Sequence, residues 1–132
     1  MTQLANQSII NGALRRALVV EDSIVIAMEA EDCLHELGIA DVEVAHSVES
    51  ALVALEHGDF DLAILDYSLG DETSDAVAER LVRRGIPFAI ATGYDDLESH
   101  FSELGAIAVL TKPFSAGDLR DLLQLVARAE AA

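Results

Sequence analysis

Three carboxylate side chains, Glu21, Asp22 and Asp66, stand directly after two short apolar runs of the sequence, at residues 17–20 and 62–65. If these runs are parallel strands of one sheet, the side chains that follow them lie at the same edge of that sheet. Carboxylates held close together repel one another and raise each other's pKa values, and a divalent cation relieves this repulsion. Magnesium prefers carboxylate and water ligands, so the trio predicts a Mg²⁺ site, with Mn²⁺ as the alternative ion.

A hydroxyl group and an ammonium group follow two further apolar runs. Thr92 comes after residues 88–91, and Lys112 comes shortly after residues 107–110. Beside a bound metal ion, the Asp66 carboxylate is a competent nucleophile towards a phosphoryl group. A phosphoryl group in transfer carries negative charge on three oxygens, of which the metal can bind one, Lys112 a second and the Thr92 hydroxyl a third. The side chains at these run ends therefore predict phosphoryl transfer to Asp66.

The elements that must position these side chains are five strand-length apolar runs, each followed by an amphipathic segment. The apolar runs are residues 17–20, 42–45, 62–65, 88–91 and 107–110. In the segments after them, apolar side chains recur every three or four residues, as on one face of a helix. The predicted core faces are Ala27, Ala30, Leu34 and Leu37; Val48, Ala51, Leu52 and Leu55; Val77, Ala78, Leu81 and Val82; Leu97, Phe101 and Leu104; and Leu119, Leu122, Leu123 and Val126.

Strict alternation of strands and helices predicts an α/β fold with a parallel sheet covered by helices on both faces. The second run differs from the others because Glu43 separates Val42 from Val44, a pattern typical of a half-exposed edge strand. An edge position for this strand fits a single-domain, flavodoxin-like (βα)5 doubly wound sheet with strand order 2-1-3-4-5. We expect this domain over residues 15–132, preceded by a flexible tail at residues 1–14.

The chain is strongly acidic, with a net charge of −16. Such a chain repels nucleic-acid phosphates and gains no attraction to an anionic membrane, so we expect protein partners and neither of these. The sequence has no apolar run of bilayer length and no basic start typical of a signal peptide, which predicts a cytoplasmic location. Cys33 is the single cysteine, and we interpret it as a buried thiol on a helix stripe. Each of the four histidines is interpreted as a solvated side chain.

The motifs at the strand ends resemble those of the receiver domains of two-component signalling, over residues 17–129. They are Val20-Glu21-Asp22, Leu65-Asp66, Thr92 and Lys112-Pro113-Phe114. The resemblance implies that Asp66 is the phosphoacceptor. It also implies that Asp22 and Asp66 bind the metal directly and that Glu21 binds it through water.

The same resemblance assigns roles to four further positions. It implies that the backbone carbonyl of Ser68 is the third protein ligand of the metal. Thr92 corresponds to the switch hydroxyl and Lys112 to the lysine that binds the phosphoryl group. The peptide bond between Lys112 and Pro113 is expected to be cis, which is a low-cost state before proline.

A narrower resemblance concerns residues 87–94, Pro-Phe-Ala-Ile-Ala-Thr-Gly-Tyr. They are similar to the fourth strand of the FATGUY subgroup of single-domain receivers. Residues 69–74 also resemble that subgroup, because they replace the Met-Pro-x-Met-Asp-Gly loop of ordinary receivers. The resemblance implies a sensor histidine kinase of the HWE or related HisKA_2 type as the partner.

Three positions depart from the family pattern. Glu21 replaces the commoner aspartate, and Ile90 replaces the phenylalanine of the subgroup motif. Val109 occupies the position in the fifth strand that usually holds a switch tyrosine or phenylalanine. A valine cannot swing a ring between buried and exposed rotamers, so Tyr94 is our hypothesis for a substitute switch aromatic.

These observations predict a stand-alone receiver that takes a phosphoryl group from a histidine kinase. It would signal through protein contacts or drain phosphate from a shared kinase, with no enzymatic activity beyond its own phosphorylation and dephosphorylation. One alternative is a phosphate-independent pseudo-receiver, against which the intact Asp22, Asp66 and Lys112 argue. Another is a phosphatase of the haloacid dehalogenase type, which would carry a second aspartate where this chain has Ser68.

Overall fold

The structure, a computed structural model, describes residues 14–93 and 98–131 of the 132-residue chain. The strands of its main sheet are β1 (Arg16–Val20), β2 (Asp41–Ala45), β3 (Leu62–Asp66), β4 (Phe88–Thr92) and β5 (Ala108–Thr111). The helices are α1 (Ile24–Glu36), α2 (Val48–His57), α3 (Asp75–Arg84), α4 (Glu98–Glu103) and α5 (Ala116–Ala131). Within these described residues, no helix combines the length and the apolar character that crossing a membrane requires.

The five strands form one parallel sheet in the order β2-β1-β3-β4-β5, which confirms the predicted doubly wound fold. The central strand β3 is buried along its whole length. Along β2, exposed residues alternate with half-buried ones up to Ala45, as predicted for an edge strand. An edge strand has a neighbour on one side only, so the Val–Glu–Val alternation reflects its position in the sheet.

Helices cover both faces of the sheet and enclose two apolar layers. The layer beneath α1 and α5 contains Leu34, Leu123 and Val126. The layer beneath α2, α3 and α4 contains Leu55, Leu81, Phe88 and Phe101, among others. Few aromatic residues are available, so aliphatic side chains fill most of both layers.

Side chains at the helix starts fix where three of the helices begin. The Ser23 hydroxyl accepts a hydrogen bond from the Ile26 N–H at the start of α1, and Ser47 with Ser50 forms a capping box at the start of α2. Ser115 and Asp118 form a reciprocal pair before α5. The Ser115 N–H donates to the Asp118 carboxylate (2.9 Å), and the Asp118 N–H donates to the Ser115 hydroxyl (3.1 Å). Such caps satisfy N–H groups that have no partner within the helix.

The structure corrects three predictions about burial. Leu14, placed in the flexible tail, is fully buried in the layer beneath α1 and α5, so the packed chain begins at least one residue earlier; residues 1–13 lie outside the described residues. Cys33 is only partly buried. Val82, placed on the core face of α3, is 53% exposed. Val77, Ala78 and Leu81 define the buried arc of that helix, and Val82 stands roughly 90° from its centre at 100° per residue.

Alanine substitution of two neighbouring residues of α3 tests this assignment of its buried face. Leu81→Ala is expected to lower the free energy of unfolding by about 2–5 kcal/mol, because it leaves a cavity in the core. Val82→Ala is expected to change it by less than about 1 kcal/mol, because much of that side chain is already in water. Urea unfolding followed by circular dichroism measures both. Equal losses in the two variants would contradict the assignment.

Candidate functional site

The parallel register brings the carboxyl ends of four strands to one rim. Val20 of β1 lies opposite Leu65 of β3, and Asp66 lies opposite Ala91 of β4. Thr92 in turn lies opposite Thr111 of β5. The residues that follow β1 and β5, and those that end β3 and β4, are therefore neighbours across the sheet. This is where ligands bind in open parallel sheets.

The three predicted carboxylates do converge at this rim. One oxygen from each of Glu21, Asp22 and Asp66 lies within 4.8 Å of the others. Glu21 and Asp66 are buried, with 4% and 7% of their surface exposed, and Asp22 is exposed. Carboxylate oxygens are ligands that hard divalent cations prefer, and the exposed side of the trio leaves room for the water ligands that Mg²⁺ retains. The trio therefore could hold a metal ion.

Lys112 joins the two buried carboxylates. Its Nζ atom lies 2.9 Å from Glu21 Oε1 and 3.2 Å from Asp66 Oδ2. The Lys112 N–H donates to the carbonyl of Thr92 (2.8 Å), which fixes the backbone of Lys112 to the end of β4. The peptide bond between Lys112 and Pro113 is cis, as predicted. An ammonium group thus reaches the rim from β5 and offsets part of its negative charge.

Burial and the neighbouring charges at this rim shift two pKa values. Burial raises the pKa of Glu21 to about 7, and the neighbouring Asp66 adds to the rise; hydrogen bonds from Lys112 and from the Ser23 N–H (3.1 Å) oppose it. Burial acts to lower the pKa of Lys112, but its contacts with Glu21 and Asp66 outweigh burial and raise that pKa above its usual value. Glu21 is therefore partly protonated at neutral pH when no cation is bound, whereas Lys112 stays charged.

Of the remaining predicted site residues, the structure describes Thr92 and Ser68 but not Tyr94. Thr92 is buried at the end of β4, beside the rim. Ser68 is exposed and begins a short antiparallel ribbon, in which Ser68–Leu69 pairs with Glu72–Thr73. Gly70 has a φ of 65°, which suits the first position of the two-residue turn in this ribbon. Tyr94, the hypothetical switch aromatic, lies outside the described residues.

Two histidines, which remain partly exposed to solvent as expected, also contact the site or the residue next to it. His46 Nδ1 forms a 2.9 Å hydrogen bond with the backbone carbonyl of Glu21. His100 Nε2 lies 3.3 Å from the hydroxyl of Tyr67, the residue that follows Asp66. Because Tyr67 directly follows Asp66 in the sequence, its position could have identified it as a residue next to the site. No spacing in the sequence relates His100 to the rim.

An apolar patch lies next to the rim on the outer side of α1. It consists of Ile24, Val25 and Met28, whose exposed fractions are 65%, 65% and 57%. A cavity of about 500 Å³ opens on another face of α1, between that helix and residues 112–116, and has Lys112 in its wall. Large apolar side chains exposed together next to a reactive site are typical of a docking surface for a protein.

A profile of the response regulator receiver domain matches residues 17–124. Transcriptional regulatory protein PdtaR of Mycobacterium tuberculosis is 32% identical over 114 residues, which cover 84% of this chain and 56% of PdtaR. The chain thus spans about half the length of the curated relatives it matches.

Solved structures with the same fold include the CheY-like receiver domain protein of Methanospirillum hungatei. Its TM-score is 0.80 at 30% identity, and the match covers 89% of this chain and 97% of that one. TrrA of Thermotoga maritima, solved in complex with Mg²⁺ and BeF, has a TM-score of 0.76 at 25% identity, over 86% of this chain and 99% of TrrA.

The raised pKa of Glu21 predicts that Mg²⁺ affinity depends on pH. Below pH 7 the ion must displace a proton from Glu21, so its affinity is expected to rise about tenfold between pH 6 and pH 8. Isothermal titration calorimetry in buffers of different ionisation enthalpy measures the affinity and the proton released. Glu21→Gln is expected to abolish the proton release, and Glu49→Gln, an exposed residue of α2, to retain it. Proton release that is equal in wild type and Glu21→Gln would contradict this account.

Proposed function

The chain belongs to the response regulator receiver domain family, and on this premise we propose that Asp66 accepts a phosphoryl group from a sensor histidine kinase, with Mg²⁺ bound beside it. The observation that carries the proposal is the Lys112 ammonium group, held 3.2 Å from the buried Asp66 carboxylate next to two further carboxylates. A structural ion pair would need one carboxylate for one lysine. Three carboxylates with one lysine leave negative charge that a cation can neutralise.

The reaction transfers a phosphoryl group from a kinase phosphohistidine to Asp66. An oxygen of the Asp66 carboxylate attacks the phosphorus atom, so that an O–P bond forms as the N–P bond breaks. The leaving imidazole nitrogen keeps the electron pair of that bond and takes up a proton from water. Lys112 is placed to neutralise charge on one phosphoryl oxygen, and the buried Thr92 hydroxyl is proposed to bind another.

The metal ligands in this proposal are the carboxylates of Asp22 and Asp66 and the backbone carbonyl of Ser68, with Glu21 acting through water. The bound Mg²⁺, or Mn²⁺ in its place, would neutralise charge on the phosphoryl oxygens. Loss of the Glu21 proton when the ion binds would keep the rim close to neutral. In the unphosphorylated protein, Lys112 stabilises Glu21 and Asp66 until the phosphoryl group takes over its contact with Asp66.

The kinase is proposed to dock on the apolar patch of α1, Ile24, Val25 and Met28. The phosphohistidine must approach Asp66 from the open side of the rim, and α1 begins two residues after Asp22 on that side. The patch is the apolar surface that a donor protein would cover as it approaches. Burial of apolar side chains can hold such a complex together even though the chain carries a net charge of −16.

The kinase type and the mode of output are proposed from the sequence. The similarity of residues 69–74 and 87–94 to the FATGUY subgroup supports an HWE or HisKA_2 kinase. Val109, in place of the usual aromatic residue, agrees with an output that differs from that of ordinary receivers. Several properties stay predictions. They are that the protein is stand-alone and cytoplasmic, that it signals through protein contacts or acts as a phosphate sink, and that it has no other enzymatic activity.

Phosphorylation by a small phosphodonor tests the proposed acceptor without a kinase. With acetyl phosphate and Mg²⁺, the wild-type protein is expected to gain the mass of one phosphoryl group in intact-mass spectra, because the site itself catalyses the transfer. Asp66→Asn should gain nothing, and Asp71→Asn, in the exposed turn of the ribbon, should behave as wild type. A wild-type protein that gains no mass would favour the phosphate-independent pseudo-receiver.

Charge substitution within the apolar patch tests the proposed docking surface. Val25→Glu is expected to slow phosphoryl transfer from candidate HWE and HisKA_2 kinases by about tenfold or more, because a carboxylate is then buried in the complex. Val53→Glu introduces the same change at an exposed valine of α2 and should leave the rate unaltered. Both variants should react normally with acetyl phosphate. Equal effects of the two substitutions on transfer from the kinase would contradict docking on α1.

A further inference from the structure

A polar cluster stands beside Asp66 on the side facing α3 and α4. Its members, which we call the Tyr67 cluster, are Tyr67, Thr73, Asp75 and His100. The Tyr67 hydroxyl lies 3.3 Å from His100 Nε2 and 3.5 Å from Asp75 Oδ2. The Thr73 hydroxyl donates to the same Asp75 oxygen at 3.0 Å, and His100 Nε2 lies 3.5 Å from Asp75 Oδ1. The cluster therefore links the segment after the phosphoacceptor to the start of α3 and to α4.

The aromatic ring of Tyr67 also packs against α4. Its centroid lies 4.8 Å from the Phe101 ring, and the two planes are tilted by 56°. The His100 ring stands nearly perpendicular to it, at 5.9 Å and 81°. Phe101 is fully buried in the layer beneath α4, so the Tyr67 ring contacts a fixed part of that helix. Burial and the neighbouring Asp75 charge raise the pKa of the Tyr67 phenol, which therefore keeps its proton.

The backbone of Tyr67 is tied to two elements. Its N–H donates to the carbonyl of Ala91 in β4 (3.0 Å), and its carbonyl accepts from the N–H of Ser74 (2.9 Å), directly before α3. Tyr67 is bonded covalently to Asp66. A displacement of the Asp66 backbone must therefore move the Tyr67 ring or break the two backbone hydrogen bonds of Tyr67. The Tyr67 ring contacts α4 directly, so this connection between Asp66 and α4 does not involve residues 94–97.

Within residues 14–93 and 98–131, Tyr67 is the aromatic residue that both adjoins Asp66 and contacts α4. In β5, Val109 packs in the same apolar layer but carries no ring. Phe114, after Lys112, packs in the opposite layer, beneath α1 and α5. An aromatic route from the rim to α4 therefore exists on the β3 side of the site.

We propose that the contact between Tyr67 and His100 couples phosphorylation of Asp66 to α4, an inference that rests on the proposed function. The phosphorylated side chain carries about −1.5 to −2 of charge in place of the single charge of the carboxylate, and it places three acceptor oxygens beside Tyr67. Hydrogen-bond donors of the loop after Asp66 and of the end of β4 turn towards these oxygens. The Tyr67 backbone moves with this loop. The phenol then leaves His100. Hydrogen bonds of 3.3 and 3.5 Å are weak, so little energy opposes the change.

Imidazole ¹⁵N spectra of the whole protein, recorded with and without Mg²⁺ and beryllofluoride, test this coupling. In the wild type, the His100 Nε2 signal is expected to shift when beryllofluoride binds, because it loses the phenol. In Tyr67→Phe, which removes the hydroxyl and keeps the ring, His100 should already be shifted and should change little. The His57 imidazole in the last turn of α2 should be unchanged in both proteins and serves as the control.

Two further measurements separate the coupling from a general structural effect. Tyr67→Phe should accept phosphate from acetyl phosphate within about twofold of the wild-type rate, because its hydroxyl makes no contact with the reacting carboxylate. His100→Gln, observed through the Tyr67 ring signals, provides a second variant; those signals should respond less to beryllofluoride than in the wild type.

The ¹⁹F signal of bound beryllofluoride shows whether the ion has bound, so a failure of binding is distinguished from a failure of the coupling. If the ion binds and His100 does not respond in the wild type, the coupling is wrong while the proposed function stands. If His100 responds fully in Tyr67→Phe, the phenol is not the coupling group and the inference is also overturned. If no ion binds to the wild-type protein at all, the proposed function fails and the inference fails with it.

Discussion

The site depends on one interaction, the ammonium group of Lys112 held between the carboxylates of Glu21 and Asp66 at 2.9 and 3.2 Å. Two buried carboxylates cost free energy unless their charge is compensated, and one lysine compensates only one of them. The remaining charge is met by partial protonation of Glu21, whose pKa is raised to about 7. In the unphosphorylated site, a divalent cation can therefore replace the proton of Glu21. A phosphoryl group can likewise replace the Asp66 carboxylate as the partner of Lys112.

This balance depends on the register of the sheet. Lys112 comes from β5 and Asp66 from β3, with β4 between them, so the ammonium group must reach across the end of a strand. The hydrogen bond from the Lys112 N–H to the Thr92 carbonyl holds it at that level, and Glu21 enters from β1 on the far side. A shift of one strand by one residue would move its side chains to the opposite face and separate the charges. The buried apolar layers that fix the register therefore also set the electrostatics of the rim.

The sequence was sufficient to predict the strand order and the convergence of the three carboxylates, because both follow from the alternation of strands and helices. The cis bond before Pro113 was implied by the resemblance to receiver domains. It misplaced Val82, since helical spacing alone does not say where the buried arc of a helix ends. It also missed the contact between Tyr67 and His100. These two residues are 33 positions apart and lie on a loop and a helix, so no period relates them. Contacts of this kind depend on how helices pack over the sheet, which spacing in one sequence does not encode.

A crystal structure of the protein with Mg²⁺ and beryllofluoride tests the central claim most directly. The account predicts beryllium bonded to an oxygen of Asp66, a metal ion bound by Asp22, Asp66 and the Ser68 carbonyl, and Lys112 Nζ in contact with a fluorine atom. A structure in which Lys112 still bridges Glu21 and Asp66, with beryllofluoride absent from Asp66 or bound elsewhere, would contradict it. That result would make the cluster a structural ion-pair network instead of a phosphorylation site.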